Sequence, residues 1–187
     1  MPYSINSLKQ LWKKDCSFYK DTEVGTGVQS FVKKVLESSE IFNLKEGKLS
    51  TKLEDRKNEF IHEKKGKEQR KADFYIYISS EIAIPVEVEC LGNIEAGVSQ
   101  LHNYQRVFDK KYGILTDGYK WRFYNNRSID QEFKLDKILD NTTLFLSFWQ
   151  EYIKTEYYYL YFFEKHGQLS LFEEGEALKV EDHRQSF

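Results

Sequence analysis

From Val28 to Leu36 the apolar positions Val28, Phe31, Val32, Val35 and Leu36 recur at the spacing of one buried helical stripe. The pattern predicts an amphipathic helix, entered through Asp21-Thr22-Glu23, whose side chains can cap it and place an acid near its positive end. From residue 59 the period drops to two. The segments EFIHE (59–63), ADFYIYI (72–78) and IAIPVEVEC (82–90) are rich in β-branched and aromatic residues and predict three successive strands. Ser79-Ser80-Glu81 is short enough to close a hairpin between the second and third, while a longer charged loop joins the first pair, so the sheet is at least partly antiparallel. In the third strand alternation sends Ile84, Val86, Val88 and Cys90 to one face, and Ala83, Pro85, Glu87 and Glu89 to the other. Pro85, lacking an amide hydrogen, implies an unpaired side or a bulge there.

Past Gly92, residues 94–108 predict a helix with Ile94, Val98, Leu101 and Phe108 inward and Gly97 as a weak point. Gln100 and Tyr104 become i,i+4 neighbours on it. Residues 111–126 follow as two strands around Thr116-Asp117-Gly118, Asp-Gly being a strong hairpin signal. Helix, three strands, helix, two strands is an α/β order with a mixed central sheet flanked by helices. Beyond Asn141 the text turns to aromatic helix, amphipathic over 144–156 and nearly all aromatic over 157–163 (YYYLYFF). The expected organisation is a core over 1–141, an aromatic C-terminal helical extension over 142–172, and over 173–187 an acidic linker or the start of a further domain. The aromatic run exceeds what one helix's neighbours can bury and predicts packing against a partner domain.

Composition narrows the classes. Apolar residues at 40% and charged residues at 31% fit a soluble globular protein rather than a disordered one. The only cysteines, Cys16 and Cys90, form neither a disulfide framework nor a metal-ligand spacing, and no apolar stretch is long enough for a membrane span or secretory leader. A reducing cytoplasm and no membrane are therefore expected. No Gly-rich phosphate loop and no internal repeat occurs. The net charge of -2 hides a local imbalance: Lys64, Lys65, Lys67, Arg70 and Lys71 crowd one loop, where they form either a solvated turn or a phosphate-attracting patch.

The candidate chemistry lies in the acids. Asp73 begins one strand and Glu87 and Glu89 sit on its neighbour, so their carboxylates can converge across the sheet if the hairpin register permits. Such a cluster repels itself unless a cation compensates, and oxygen ligands of this kind suit Mg²⁺ or Mn²⁺ better than zinc. Taken one at a time, Glu87 and Glu89 also read as the solvated face of a strand, and Asp73 as a turn-forming strand start. His62 and His102 read as packed or exposed histidines, and Cys90 as core. Trp121, Phe123 and Tyr124 are read as packing beneath the sheet.

The series Asp73, Glu87-Val88-Glu89, Gln100-Leu101-His102-Asn103-Tyr104 and YGILTDGYKWRFY resembles the PD-(D/E)XK nucleases of restriction systems. The likeness is greatest to the nuclease domain of Type I restriction motor subunits and of fused single-chain restriction-modification enzymes. It covers roughly residues 23–125. The resemblance implies a restriction-endonuclease-like fold and Mg²⁺-dependent hydrolysis of double-stranded DNA, with Mn²⁺ as a substitute. A helicase or methyltransferase domain would complete the polypeptide. It further implies that Asp73 and Glu87 hold metal, that Gln100 and Tyr104 form the Q-x-x-x-Y element, and that Glu23 matches the acid of the first helix. Glu89 would position or deprotonate the attacking water, or join the metal site. Here the chain departs from the family, which usually carries lysine where Glu89 stands, although some members carry Glu. Lys64, Lys65, Arg70 or Lys71 are the candidates for a replacement cation, and with Lys67 for contacts to DNA. Two other readings remain open: a nuclease-like fold acting as a DNA-binding or assembly module, and an RNA- or protein-interacting domain with surface acids.

Overall fold

The computed structural model describes residues 3–21, 26–46, 59–62, 72–77, 83–107 and 110–153, with 16–21, 26, 45–46 and 59–62 described by their backbone alone. Helices α1 (Ile5–Asp21) and α2 (Thr26–Glu37) lead into strands β1 (Lys45–Glu46), β2 (Glu59–His62), β3 (Phe74–Tyr77) and β4 (Ala83–Val88). A 3₁₀ turn (Ile94–Gly97) runs into α3 (Val98–Val107), followed by β5 (Tyr112–Thr116), β6 (Lys120–Asn125), β7 (Ser128–Lys134) and α4 (Leu135–Asp140). A further helix, α5, spans 142–153. The strands form one mixed sheet in sequence order, β1 to β7, with β1–β2 and β4–β5 parallel and every other pair antiparallel. This is an α/β fold with helices flanking the sheet. By contacts the chain divides into Met1–Glu151 and Tyr152–Phe187, and the sheet and its flanking helices α1 to α4 belong to the first unit.

The predicted helical stripe is the packed face of α2: Val28, Phe31, Val32, Val35 and Leu36 are all fully buried. The three predicted strands appear as β2, β3 and β4. All six residues of β4 are buried, because it lies between β3 and β5 rather than at an edge. Pro85 is opposite Tyr75 of β3, and pairing with β5 begins only at Val86, so the proline meets β5 at no ladder position. The predicted helix over 94–108 opens instead as the 3₁₀ turn, and α3 begins at Val98.

The Asp-Gly signal marks the β5–β6 hairpin, which is built largely by side chains. Thr116 Oγ1 accepts the Gly118 amide at 3.0 Å and donates to the Lys120 carbonyl at 2.8 Å. Asp117 Oδ1 accepts the amides of Tyr119 and Lys120, and its Oδ2 accepts the amide of Gly92 at 3.0 Å, tying the hairpin to the loop after β4. Gly118 has φ +82°, and a Cβ there would stand 2.9 Å from Val28, so both conformation and space require glycine.

One face of β5 and β6 is sealed by aromatics. Phe123 packs on Phe145 and Phe148 of α5 at 5.9 and 5.0 Å, and Phe42 packs on Trp121 and Phe145 at 5.7 and 5.1 Å. Trp121, Phe123 and Tyr124 are thus buried packing residues. The run 157–163 lies outside the described residues. Four described elements, α1, β1, β7 and α4, had no counterpart in the sequence reading. Helix α1 places Leu8 in the core and sets Trp12 against Phe31 at 4.9 Å. Strand β7 is exposed at every position except half-buried Phe133, the mark of a polar edge strand. No helix of the described residues is long and apolar enough to cross a membrane.

Candidate active site

Asp73 lies immediately before β3, and the β3–β4 register, which pairs Phe74 with Val86, brings it beside the end of β4 that carries Glu87. Its carboxylate is held from two elements: Oδ2 accepts the Val88 amide at 2.9 Å, and Oδ1 accepts the side-chain amide of Gln29 on α2. These two bonds fix the direction of the Asp73 carboxylate.

Glu87 is only 4% exposed, and its Oε2 has no hydrogen-bond partner. Burial first, then the charges of Asp73 and Glu89, push its pKa up to about 9, against a smaller opposing contribution from a hydrogen bond with the Asp73 backbone. Glu89 follows β4, where its amide donates to the Thr116 carbonyl at 2.8 Å. Burial and the Asp73 charge raise its pKa as well. The three acids therefore share one electrostatic environment.

Helix α3 closes this region. Gln100 Nε2 donates to the Tyr104 hydroxyl at 2.7 Å, so the two residues act together. Tyr104 is 2% exposed. Burial and then the charge of Glu87, with a smaller effect from Asp73, push its phenol up to about 12, so it stays a neutral donor at physiological pH. Gly97 allows the 3₁₀ turn to approach: a Cβ there would meet Leu115 Cδ1 at 2.5 Å and Glu89 Oε1 at 2.8 Å. The residue read as a helical weak point is thus a place of close packing against a candidate acid. The turn is further fastened to β6 and β7 through Arg122, which pairs with Glu95 and Glu132 at 2.6 Å each.

Asp73, Glu87, Glu89, Gln100 and Tyr104 accordingly gather around one end of β4. Glu23 and Lys64, Lys65, Lys67, Arg70 and Lys71 lie outside the described residues, as does the side chain of His62. His102 turns its ring edge-on to Tyr124 at 5.4 Å, and Cys90 is half-buried. Sequence reasoning missed Gln29, whose polar character on the flank of an apolar stripe carries no distinguishing signal, and the close approach at Gly97.

Among the described residues no group of three or more His, Cys, Asp or Glu side chains stands close enough to hold a metal ion, so the acids do not form a three-carboxylate cage. The donor set fits a divalent cation in a smaller way. Mg²⁺ is commonly held by one or two carboxylates, with waters and substrate phosphates completing its shell. Glu87, with an unpartnered buried oxygen beside Asp73, offers such a pair.

Comparison with known proteins finds no match: no family model, no curated protein and no solved structure resembles this chain closely enough to be assigned.

Proposed function

We propose that the chain is a Mg²⁺-dependent endodeoxyribonuclease domain of a restriction or restriction-modification enzyme, with Mn²⁺ as an alternative ion. The reading rests on one observation: a buried acid with an unpartnered oxygen, Glu87, feels the charges of two further acids, Asp73 and Glu89, beside the linked pair Gln100–Tyr104. Leaving such a group buried and unpaired is costly unless a ligand completes it. Asp73 and Glu87 are the residues that would hold the cation. When bound, it would supply an activated water and relieve charge on the phosphate oxygens.

The chain's own side chains have separable tasks. Gln29 and the Val88 amide fix the direction of Asp73. Glu89, whose raised pKa favours proton uptake, receives the proton of the attacking water. Tyr104, kept neutral and backed by Gln100, donates a hydrogen bond toward the acid end of β4. Duplex DNA is the substrate and a motor or methyltransferase domain the partner, on the resemblance of the acid, Gln and Tyr spacing alone.

Supercoiled plasmid incubated with Mg²⁺ or Mn²⁺ tests the reading. Nicking is expected from the whole enzyme and absent from Asp73→Ala. Undiminished nicking by that variant removes Asp73 from the mechanism. The lack of a three-acid cage favours a second reading, a nuclease-like fold that binds DNA or assembles without cutting. Under it neither ion produces nicks, while duplex binding persists.

A further inference from the structure

On α3, the residue after Tyr104 faces a different pocket. Gln105, Arg106, Lys110, Lys111, Asn126 and Arg127 line a space of about 380 Å³ between the end of the helix, the start of β5 and the β6–β7 turn. Its described lining carries four cationic side chains and no acid. Arg106 donates to the neutral Asn103 side chain at 2.9 Å, and Lys111 Nζ lies 5.2 Å from the centre of the Tyr112 ring. Among the described residues Arg106, Lys111 and Arg127 make no ion pair. The C-terminus of a helix carries only about half a negative charge. Arg106, Lys111 and Arg127 together exceed what that end can offset.

The pocket is also built below its rim. Gln105 is 3% exposed; its Nε2 donates to the Lys111 carbonyl at 2.9 Å, while its Oε1 is buried without a partner. An acceptor beneath a cationic rim is suited to a bound water that donates both to it and to an anion above. The β6–β7 turn places Asn126 and Arg127 at φ 48° and 66°. Two-residue turns of this kind favour Gly at the second position. Arginine there carries backbone strain and keeps a guanidinium on the rim. The Asn126 amide, bonded to the Lys111 carbonyl at 2.8 Å, fixes the turn beside the other cations.

We infer that this pocket holds backbone phosphates of duplex DNA, anchoring the substrate at the C-terminal end of α3, at the opposite end of the parallel β4–β5 pair from the acids. The inference rests on the nuclease reading for the identity of the polyanion, and on the pocket alone for the phosphate chemistry. Lys111 at the pocket and Leu115 opposite Glu87 are joined by β5, which separates pocket and acids by about 13 Å at about 3.3 Å per residue, a span that a duplex covers. Such contacts carry no base information and fix position only.

The test is duplex binding by the whole protein without divalent cations, using a random-sequence duplex of about 30 base pairs over roughly 50 to 200 mM salt. Arg106→Gln with Arg127→Asn removes two cations at exposed positions, and asparagine tolerates the positive φ of the turn. The log-log salt slope is expected to fall by about 1.8, at about 0.9 per phosphate contact. Lys110→Gln with Lys111→Gln provides a second variant with the same expected loss. An unchanged slope in both double variants, with circular dichroism showing them folded, overturns the inference. If plasmid nicking survives in that case, the nuclease reading stands without it. If the slopes fall as expected but the wild type never nicks, the pocket is upheld and the nuclease reading fails.

Discussion

Two carboxylates buried in the same sheet meet opposite fates. Asp117, 1% exposed at the β5–β6 hairpin, accepts three backbone amides, from Gly92, Tyr119 and Lys120. Glu87, 4% exposed in β4, keeps an unpartnered oxygen and stands among other acids that push its pKa up to about 9. Burial alone therefore does not mark a functional acid. What separates the two is whether the fold itself supplies the hydrogen bonds. Asp117 is satisfied by the fold alone, while Glu87 keeps an oxygen that the fold leaves unpartnered.

Changing Glu87 is expected to have the largest effect on activity and the mildest on the fold. Glu87→Gln should lower plasmid nicking by roughly a hundredfold or more, while the metal-free protein gains stability at alkaline pH. The sign follows from the raised pKa. The unfolded chain loses its proton near 4.5 and the folded chain only near about 9, so metal-free stability falls as pH rises between them and is unaffected below. Melting scans across that range should show the decline in the wild type and a flatter profile in Glu87→Gln. Asp117→Ala should do the reverse. It leaves three backbone amides without their acceptor and should cost about 3 kcal/mol, read as a lower urea midpoint. Equal pH profiles for wild type and Glu87→Gln would erase the contrast.

Smaller changes sharpen it. Gly97→Ala forces Leu115 and Glu89 to shift, and should cost about 1–3 kcal/mol in stability. Its nicking rate should fall by more than that loss explains, because Glu89 is displaced. Tyr104→Phe removes the hydroxyl that accepts the Gln100 hydrogen bond and should cost about 1 kcal/mol by denaturant titration.

The two regions also differ in how legible they were. The Asp-Gly hairpin was evident because turn chemistry is local, and the acids because strand alternation is local too. That Glu87 would be buried and unpartnered was not, since it depends on β5 pairing with the far side of β4 and on α3 closing above. Helix α1 was passed over although Ile5, Leu8, Leu11 and Trp12 have helical spacing, because polar residues and lysines surround them. Strand β7 lacks alternation because an exposed edge strand buries neither face. Gln29 could not be found at all: its partner Asp73 lies 44 residues away, and no local pattern encodes such a contact.

On the proposed reading, the oxygen of Glu87 left unpartnered by the protein is a cation ligand. Mn²⁺ titrated into the protein at pH 8 and followed by calorimetry tests it most directly. Saturable binding with proton release is expected in the wild type, and loss of both in Glu87→Gln. Binding of equal strength in that variant, or none in the wild type, would contradict it.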